Sequence, residues 1–242
     1  MNRTKTSKEF TLRTLSLFTG IGLLAMAVIA PIVYFQIFPS LFIAGDLGAT
    51  IANLKASVFS FRLGIFLFLV VAILDVLVAW GLYLILRPLH FELSLLAAWF
   101  RLVYAVLLVV ALQNLLSILP IVENEGSVTS VCNANVCPSV LHLYNSFQNF
   151  WDFSLVLFGI HLILVGLVFL FAKQTSKIIG VLVVVAGLGY SMDAIGKLLV
   201  AGYDWEVAMF TFIGEVVLIG WLFYRSFLGF EDFDTTNLLP LF

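Results

Sequence analysis

Charged residues are scarce in this sequence. Only 11% of its 242 residues are Asp, Glu, Lys or Arg, whereas a soluble domain carries roughly 25%. Hydrophobic residues make up 62%, and the mean hydropathy is +1.14. A soluble fold of this length cannot bury so much apolar side chain, because too much of its volume lies near the surface. The composition excludes a soluble globule and a disordered chain, and it predicts an all-α, polytopic membrane protein.

Residues and motifs that carry chemistry are also few. The sequence has 2 cysteines and 3 histidines, and its 12 basic and 14 acidic residues give a formal net charge of −2. This near-neutral balance excludes the basic surface that nucleic-acid binding needs. The sequence has no glycine-rich phosphate loop, no HExxH string and no GxSxG string, so it predicts neither a nucleotide motor nor a common hydrolase. We expect no cofactor, and whether the protein is an enzyme stays open.

Six apolar stretches are long enough to cross a bilayer, which takes about 20 helical residues. They predict a six-helix membrane domain over residues 15–227, between a basic lead (residues 1–14) and an acidic tail (residues 228–242). Pro31 predicts a kink in the first helix, because proline has no N–H to donate. The predicted spans are 15–38, 63–86, 93–119, 151–172, 178–200 and 207–227.

Lysine and arginine are unevenly divided between the two sides of the membrane. If the N-terminus is inside, eight basic residues are cytoplasmic, and only Lys55 and Arg62 are outside. Because basic loops stay in the cytoplasm, this count predicts an N-in, C-in topology. We expect a multi-pass protein of the plasma membrane, the bacterial inner membrane, in contact with the lipid bilayer. The eight cytoplasmic residues are Arg3, Lys5, Lys8, Arg13, Arg87, Lys173, Lys177 and Arg225.

Two outer segments are predicted to be more than connections. From Asp46 to Phe61 apolar residues recur every three or four positions, which predicts a short interfacial helix with Asp46 as its N-cap. This helix either packs at the membrane surface or forms a lid. The other segment contains Cys132 and Cys137, whose spacing fits a disulfide, although two free thiols also fit a short loop. It ends in residues typical of an interfacial aromatic belt, namely Tyr144, Phe147, Phe150 and Trp151.

Several ionisable residues fall inside the predicted spans. Such residues are costly in lipid, so we expect them to face the protein and to be paired. At 1.5 Å per residue from the inner boundary, four of them from four helices lie about 12–18 Å deep. Asp193 lies about 22 Å deep, with Lys197 one turn beyond. The four residues that share a level are Asp75, Arg101, His161 and Glu215.

The order of the spans predicts how the first of these residues pair. A short hairpin joins the second and third spans, so Asp75 and Arg101 are expected to form an ion pair. Tyr104, one turn from Arg101, adds a hydroxyl. Asp193 and Lys197 are four residues apart on one helix face, which is typical of an intrahelical ion pair.

His161 and Glu215 have no obvious partner of opposite charge, and their matching depths allow a bond between them. Buried ionisable groups in membrane spans commonly mark substrate or proton sites. The candidate residues for binding a ligand or a proton are therefore Asp75, Arg101, Tyr104, His161, Asp193 and Glu215.

Small residues recur in the fifth span. Gly180, Gly187 and Ala194 are seven positions apart, and Gly189 and Gly196 repeat that spacing. Small residues let the backbones of neighbouring helices approach closely. The spacing therefore predicts a tightly packed fifth helix.

The order of several apolar strings resembles a known family. From about residue 15 to 225 these are GDLGATIANL, SFRLGI, LYLILRPL, LSLLAAWFRLV, GIHLILVGLVF, GVLVVVAGLGYSMDA and FIGEVVLIGWL. The chain resembles the bacterial membrane family labelled domain of unknown function 4386. The resemblance implies a six-helix inner-membrane protein and brings no activity. The residues that fall on the pattern are Asp46, Arg62, Asp75, Arg101, His161, Asp193 and Glu215.

The candidate residues Asp75, Arg101, Tyr104, His161, Asp193 and Glu215 are called the polar layer below. Three functional hypotheses follow from it. The first is binding or translocation of a small molecule, a lipid or a proton, with a hydrophobic or ionic ligand. The second is a structural, sensory or partner subunit, alone or as a homo-oligomer, in which the layer only fixes helix packing. The third is a metal-dependent intramembrane hydrolase, for which the only candidate ligand set is His161, Asp193 and Glu215.

Overall fold

The computed structural model describes residues 2–123 and 137–230, with side chains for residues 12–123 and 139–230. All regular structure in these residues is helical, which confirms the predicted all-α class. In chain order the helices are α1 (Asn2–Ile32), α2 (Phe38–Leu41), α3 (Leu47–Ala56), α4 (Val58–Leu86), α5 (Phe91–Leu116), α6 (Leu119–Glu123), α7 (Cys137–Phe171), α8 (Lys177–Leu199), α9 (Val207–Thr211) and α10 (Ile213–Leu228).

Six stretches of the described chain are helical, long and apolar enough to cross a membrane. The fourth starts at Ser139, well before the predicted start at residue 151, because α7 continues through the aromatic segment. Every other span end lies within five residues of the prediction; the largest differences are the start of the second span, at Val58, and the end of the third, at Glu123. The six are Leu12–Leu41, Val58–Leu86, Phe91–Glu123, Ser139–Phe171, Lys177–Leu199 and Val207–Leu228.

The chain divides into two compact units. The first unit comprises Met1–Leu24, Leu74–Tyr104 and Asp152–Phe242. The second unit comprises Ala25–Ile73 and Ala105–Trp151. Every candidate residue of the polar layer belongs to the first unit.

Helices α7 and α8 approach each other closely in the first unit. A Cβ built on Gly187 would lie 2.5 Å from the carbonyl oxygen of Gly159, and one on Gly180 would lie 2.9 Å from that of Gly166. The seven-residue spacing on α8 therefore matches a seven-residue spacing on α7, and backbone meets backbone at both levels.

The second glycine series on α8 has different neighbours. A side chain at Gly189 would collide with Thr211 at the end of α9, and one at Gly196 would collide with the ring of Tyr203. Helix α8 therefore packs tightly on two sides, as its small residues predict.

The second unit has an aromatic core. Phe38, Phe61, Phe68 and Phe147 are fully buried. The rings of Phe42 and Tyr144 stack with their centroids 3.7 Å apart, and Trp151 contacts both Phe68 and Phe147. The prediction of an interfacial aromatic belt is therefore wrong for Phe147, which is buried inside the protein. Because α7 already begins at Cys137, one helix face carries Tyr144, Phe147 and Trp151 into the core.

Pro31 lies in the first membrane span, in the part that belongs to the second unit, and the helix changes type after it. Helix α1 continues to Ile32 and then widens into a π-helical turn, Val33–Ile37, before α2 begins. The missing N–H of proline weakens the α-helical ladder there, and a π turn supplies an alternative pairing.

The predicted interfacial helix is present but shorter than expected. Asp46 caps α3 by accepting a hydrogen bond from the Ala49 N–H at 2.8 Å. The helix ends at Ala56, and Ser57 leaves helical geometry at φ −135° and ψ 42°. Phe61 therefore belongs to α4 and to the second membrane span, rather than to the interfacial helix.

Cys132 and the side chain of Cys137 lie outside the described part of the chain, and so does the disulfide predicted between them. The side chains of residues 1–11 in the basic lead and residues 231–242 in the acidic tail also lie outside it.

Two glycine substitutions test the close packing of α7 on α8. Gly187→Ala places a methyl group against the backbone of Gly159 and Ile163, so we expect a loss of about 1–3 kcal/mol in the free energy of unfolding. Gly220→Ala is the matched control, because nothing lies within 4 Å of its added Cβ. It should leave stability unchanged or raise it by about 0.5–1 kcal/mol. Thermal unfolding in detergent measures both, and equal transition temperatures for the two variants would contradict the packing.

Candidate functional site

The candidate site is built around Arg101, in the middle of α5. Its side chain is among the largest that are fully buried, with 1% of the residue exposed. Asp75 on α4 is 2% exposed, and its Oδ1 lies 2.7 Å from Nη2 of Arg101. The two residues are brought together by the short connection between α4 and α5, which is the arrangement that the hairpin predicts.

His161 on α7 is the second partner of Arg101. Nη1 of Arg101 lies 3.1 Å from Nε2 of the imidazole, and Nδ1 lies 2.8 Å from the backbone oxygen of Ala97. A guanidinium only donates and a carbonyl only accepts. The geometry therefore assigns the neutral tautomer, in which Nδ1–H donates to Ala97 and Nε2 accepts from Arg101.

Aromatic rings complete the surroundings of the guanidinium. The Arg101 Cζ lies 5.2 Å from the centroid of the Phe158 ring, within the range of a cation–π contact. The rings of Tyr104 and Tyr190 lie 5.0 Å and 5.1 Å from that of Phe158. Arg101 is thus held by a carboxylate from α4 and by an imidazole and an aromatic face from α7.

Glu215 is the second carboxyl group of this cluster. It is 8% exposed, and it is close enough to interact electrostatically with Arg101 and Asp75. The hydroxyl of Tyr190 is close enough to its carboxyl group to interact with it. Its Oε1 is buried and has no hydrogen-bond partner among the described residues, although buried polar atoms in native structures nearly always have one.

An interruption of the sixth span positions Glu215. The span consists of α9 and α10, separated by Phe212. The N–H of Glu215 donates to the Phe212 carbonyl, three residues back, at 2.9 Å. The backbone therefore forms a 3₁₀-type turn at this point. Glu215 lies in the first turn of α10. A side chain on the preceding Gly214 would collide with the backbone oxygen of Leu182 on α8.

Asp193 belongs to a different arrangement. Its Oδ1 accepts hydrogen bonds from the Tyr203 hydroxyl at 2.8 Å and the Val207 N–H at 3.0 Å, and its Oδ2 accepts from the Ala208 N–H at 2.7 Å. Asp193 therefore caps α9 from a neighbouring helix. The hydrogen bond to this carboxylate raises the pKa of the Tyr203 hydroxyl above its usual value.

Lys197 contacts an acid on another helix. Its Nζ lies 2.9 Å from Oδ1 of Asp152 on α7. These contacts differ from the intrahelical pair expected between Asp193 and Lys197, because Asp193 is directed to the start of α9. The sequence carries no signal for Asp152, which lies at the edge of a predicted span.

The bond that matching depths allow between His161 and Glu215 is not formed. Both ring nitrogens of His161 have other partners, Arg101 and Ala97. The metal-ligand set His161, Asp193 and Glu215 is not assembled. No group of three or more His, Cys, Asp or Glu among the described residues is arranged to hold a metal ion.

Comparison with known proteins places the chain in a family. The family model described as Domain of unknown function (DUF4386) matches residues 18–225. The chain belongs to this family. It is 33% identical over 174 residues to a protein of Archaeoglobus fulgidus named "Uncharacterized protein", which covers 72% of this chain and 88% of the relative. No solved structure matches the chain.

Sequence reasoning missed three groups in this DUF4386 protein. Phe158 lies three positions before His161, so helical spacing could have found it. The Ala97 carbonyl has no sequence signal, because every residue has one. Tyr203 lies in a loop and is brought to Asp193 only by the fold.

Because Arg101 is buried and paired, replacing it should destabilise the protein. Arg101→Met removes the partner of Asp75 and leaves a buried carboxylate unpaired, so we expect a loss of about 3–5 kcal/mol in the free energy of unfolding. Arg62→Met is the matched control, because Arg62 pairs with Glu123 at an exposed position and such pairs contribute about 0–1 kcal/mol. Denaturation of the purified protein in detergent measures both variants.

A double variant separates the ion pair from general packing. Asp75→Asn combined with Arg101→Gln should lose less stability than the sum of the two single variants, because neither charge is then buried alone. Purely additive losses would contradict the pairing.

Proposed function

We propose that this membrane protein binds protons at Glu215 and moves them across the bilayer, alone or with a small solute. The observation that carries the proposal is the buried Oε1 of Glu215, which has no hydrogen-bond donor among the described residues. Ionisable groups buried in membrane spans are characteristic of proton relays and transport sites.

The charges of the cluster support proton binding. Arg101 is matched by Asp75 at 2.7 Å, so Glu215 is a second carboxyl group beside a single guanidinium. His161, in its neutral tautomer, adds no charge. A proton on Glu215 would give the cluster equal numbers of positive and negative charges, and one on Asp75 would break the pair with Arg101.

Hydroxyl groups provide neighbours that can exchange the proton. Tyr190 interacts electrostatically with both Glu215 and Tyr104. A tyrosine hydroxyl both donates and accepts, so it can pass a proton between acceptors. The interrupted sixth span adds a second feature of transport sites, which are often formed by discontinuous helices.

A structural role is the second candidate function, and a specific observation favours it. Asp75, Arg101, His161 and the Ala97 carbonyl form a continuous set of contacts joining α4, α5 and α7. Such a set can fix helix register without handling any ligand. A sensory or partner subunit, or a homo-oligomer, would use the layer in this way.

We also propose that the N- and C-termini lie in the cytoplasm and that the protein resides in the plasma membrane, the inner membrane in bacteria. The distribution of eight basic residues against two supports this orientation. Reporter fusions at the two termini test it, and a terminus found outside the cell would contradict it.

Proton flux into proteoliposomes tests the proposed function. With a potassium diffusion potential and a pH-sensitive dye inside, wild-type vesicles should change internal pH faster than empty vesicles. Glu215→Gln should reduce the rate to that of empty vesicles, because an amide cannot take up and release the proton.

Glu92→Gln is the control, since that side chain is 81% exposed and its variant should keep the wild-type rate. If wild-type vesicles are no faster than empty ones, or if Glu215→Gln keeps the wild-type rate, the proton proposal is wrong. A fully folded Glu215→Gln protein, checked by thermal unfolding, shows that lost flux is not lost structure.

A further inference from the structure

A groove runs along the first unit between α8 and α10. Its volume is about 380 Å³, within the range of small-molecule sites. Apolar groups form its floor and polar groups lie toward one end. The lining residues are Ser176, Ile179, Val217, Gly220, Trp221, Tyr224 and Arg225.

Gly220 keeps the middle of the groove open. Nothing lies within 4 Å of a Cβ built on this residue, in contrast to the glycines that pack α8 against α7. Val217, Gly220 and Tyr224 are spaced by three and four residues, so they form one stripe of α10. This stripe and Ile179 of α8 leave an apolar channel between two helices that are apolar enough to span a membrane.

Polar groups line the end of the groove. Tyr224 is 57% exposed, and Ser176 is also exposed. The guanidinium of Arg225 is kept in place by a hydrogen bond of 3.3 Å to the Gly229 carbonyl and by the rings of Trp221 and Phe230, each 5.8 Å from its Cζ. Arginine in such a position is well suited to recognise phosphate.

The same end of the first unit is strongly basic. Contacts of Arg13 with Leu228, of His90 with Phe171 and of Phe169 with Trp221 link these helix ends. Among the residues whose side chains the structure describes, this end has five Lys or Arg and one acid, Glu92. The five basic residues are Arg13, Arg87, Lys173, Lys177 and Arg225.

We propose that this groove binds an anionic phospholipid. One acyl chain lies along Ile179, Val217 and Gly220, and the phosphate group contacts Arg225, with the Ser176 and Tyr224 hydroxyls beside it. Basic pockets between membrane helices are suited to anionic headgroups. This site is separate from the Glu215 cluster and does not depend on the proton proposal.

The change in Tm on adding lipid tests whether the groove binds an anionic phospholipid. Short-chain phosphatidylglycerol added to the purified protein in neutral detergent should raise Tm, whereas phosphatidylcholine or inorganic phosphate at the same concentration should not. Gly220→Leu fills the groove without displacing any protein atom near its Cβ, so it should lower the phosphatidylglycerol shift to the phosphatidylcholine level. Arg225→Gln should weaken binding by about fivefold, the equivalent of roughly 1 kcal/mol for one basic residue.

Val216→Leu is the matched control. Val216 is exposed on the same helix outside the groove, so this variant should keep the full phosphatidylglycerol shift. Equal shifts with the two lipids, or a full shift in Gly220→Leu, would overturn the proposal. A shift with inorganic phosphate alone would show an anion site and not a lipid site.

Discussion

A guanidinium buried among apolar helices is the constraint on which the first unit depends. Arginine stays charged in proteins, and a buried charge is costly unless it is paired. Asp75 supplies the opposite charge, and His161 accepts a second hydrogen bond. The Ala97 carbonyl fixes the tautomer that makes this acceptance possible. Arg101 thereby links α4, α5 and α7 at one point.

Close helix packing brings the remaining groups to that point. Glycines let α7 meet α8 and let α8 meet the sixth span at backbone distance. This places Tyr190 of α8 and Glu215 of α10 close to Arg101. Asp193, from the same helix as Tyr190, caps the short α9 and so stabilises the interrupted span. Packing, capping and ion pairing in this unit therefore depend on one another.

The sequence predicts those features that arise from hydropathy and from short connections. The six spans follow from apolar length, and the pairing of Asp75 with Arg101 follows from a hairpin and matched depth. The partner of Lys197 could not be predicted, because spacing of four residues also fits a pair with Asp193, and only the fold directs Asp193 to α9. The burial of Phe147 was likewise hidden, since aromatic residues near a span end are typical both of an interface and of a core.

Nitrogen NMR of the imidazole observes the hydrogen bond from Arg101 to His161. Replacing His90 and His142 by Gln leaves His161 as the one histidine to observe in the nitrogen-15-labelled protein. In the wild-type protein the ring should be neutral, with its hydrogen on Nδ1 and an unprotonated Nε2. In Arg101→Met the hydrogen should stay on Nδ1, because the Ala97 carbonyl still accepts it, but the Nε2 resonance should shift because its hydrogen bond is lost. A ring with its hydrogen on Nε2, or a doubly protonated ring in the wild-type protein at neutral pH, would contradict it.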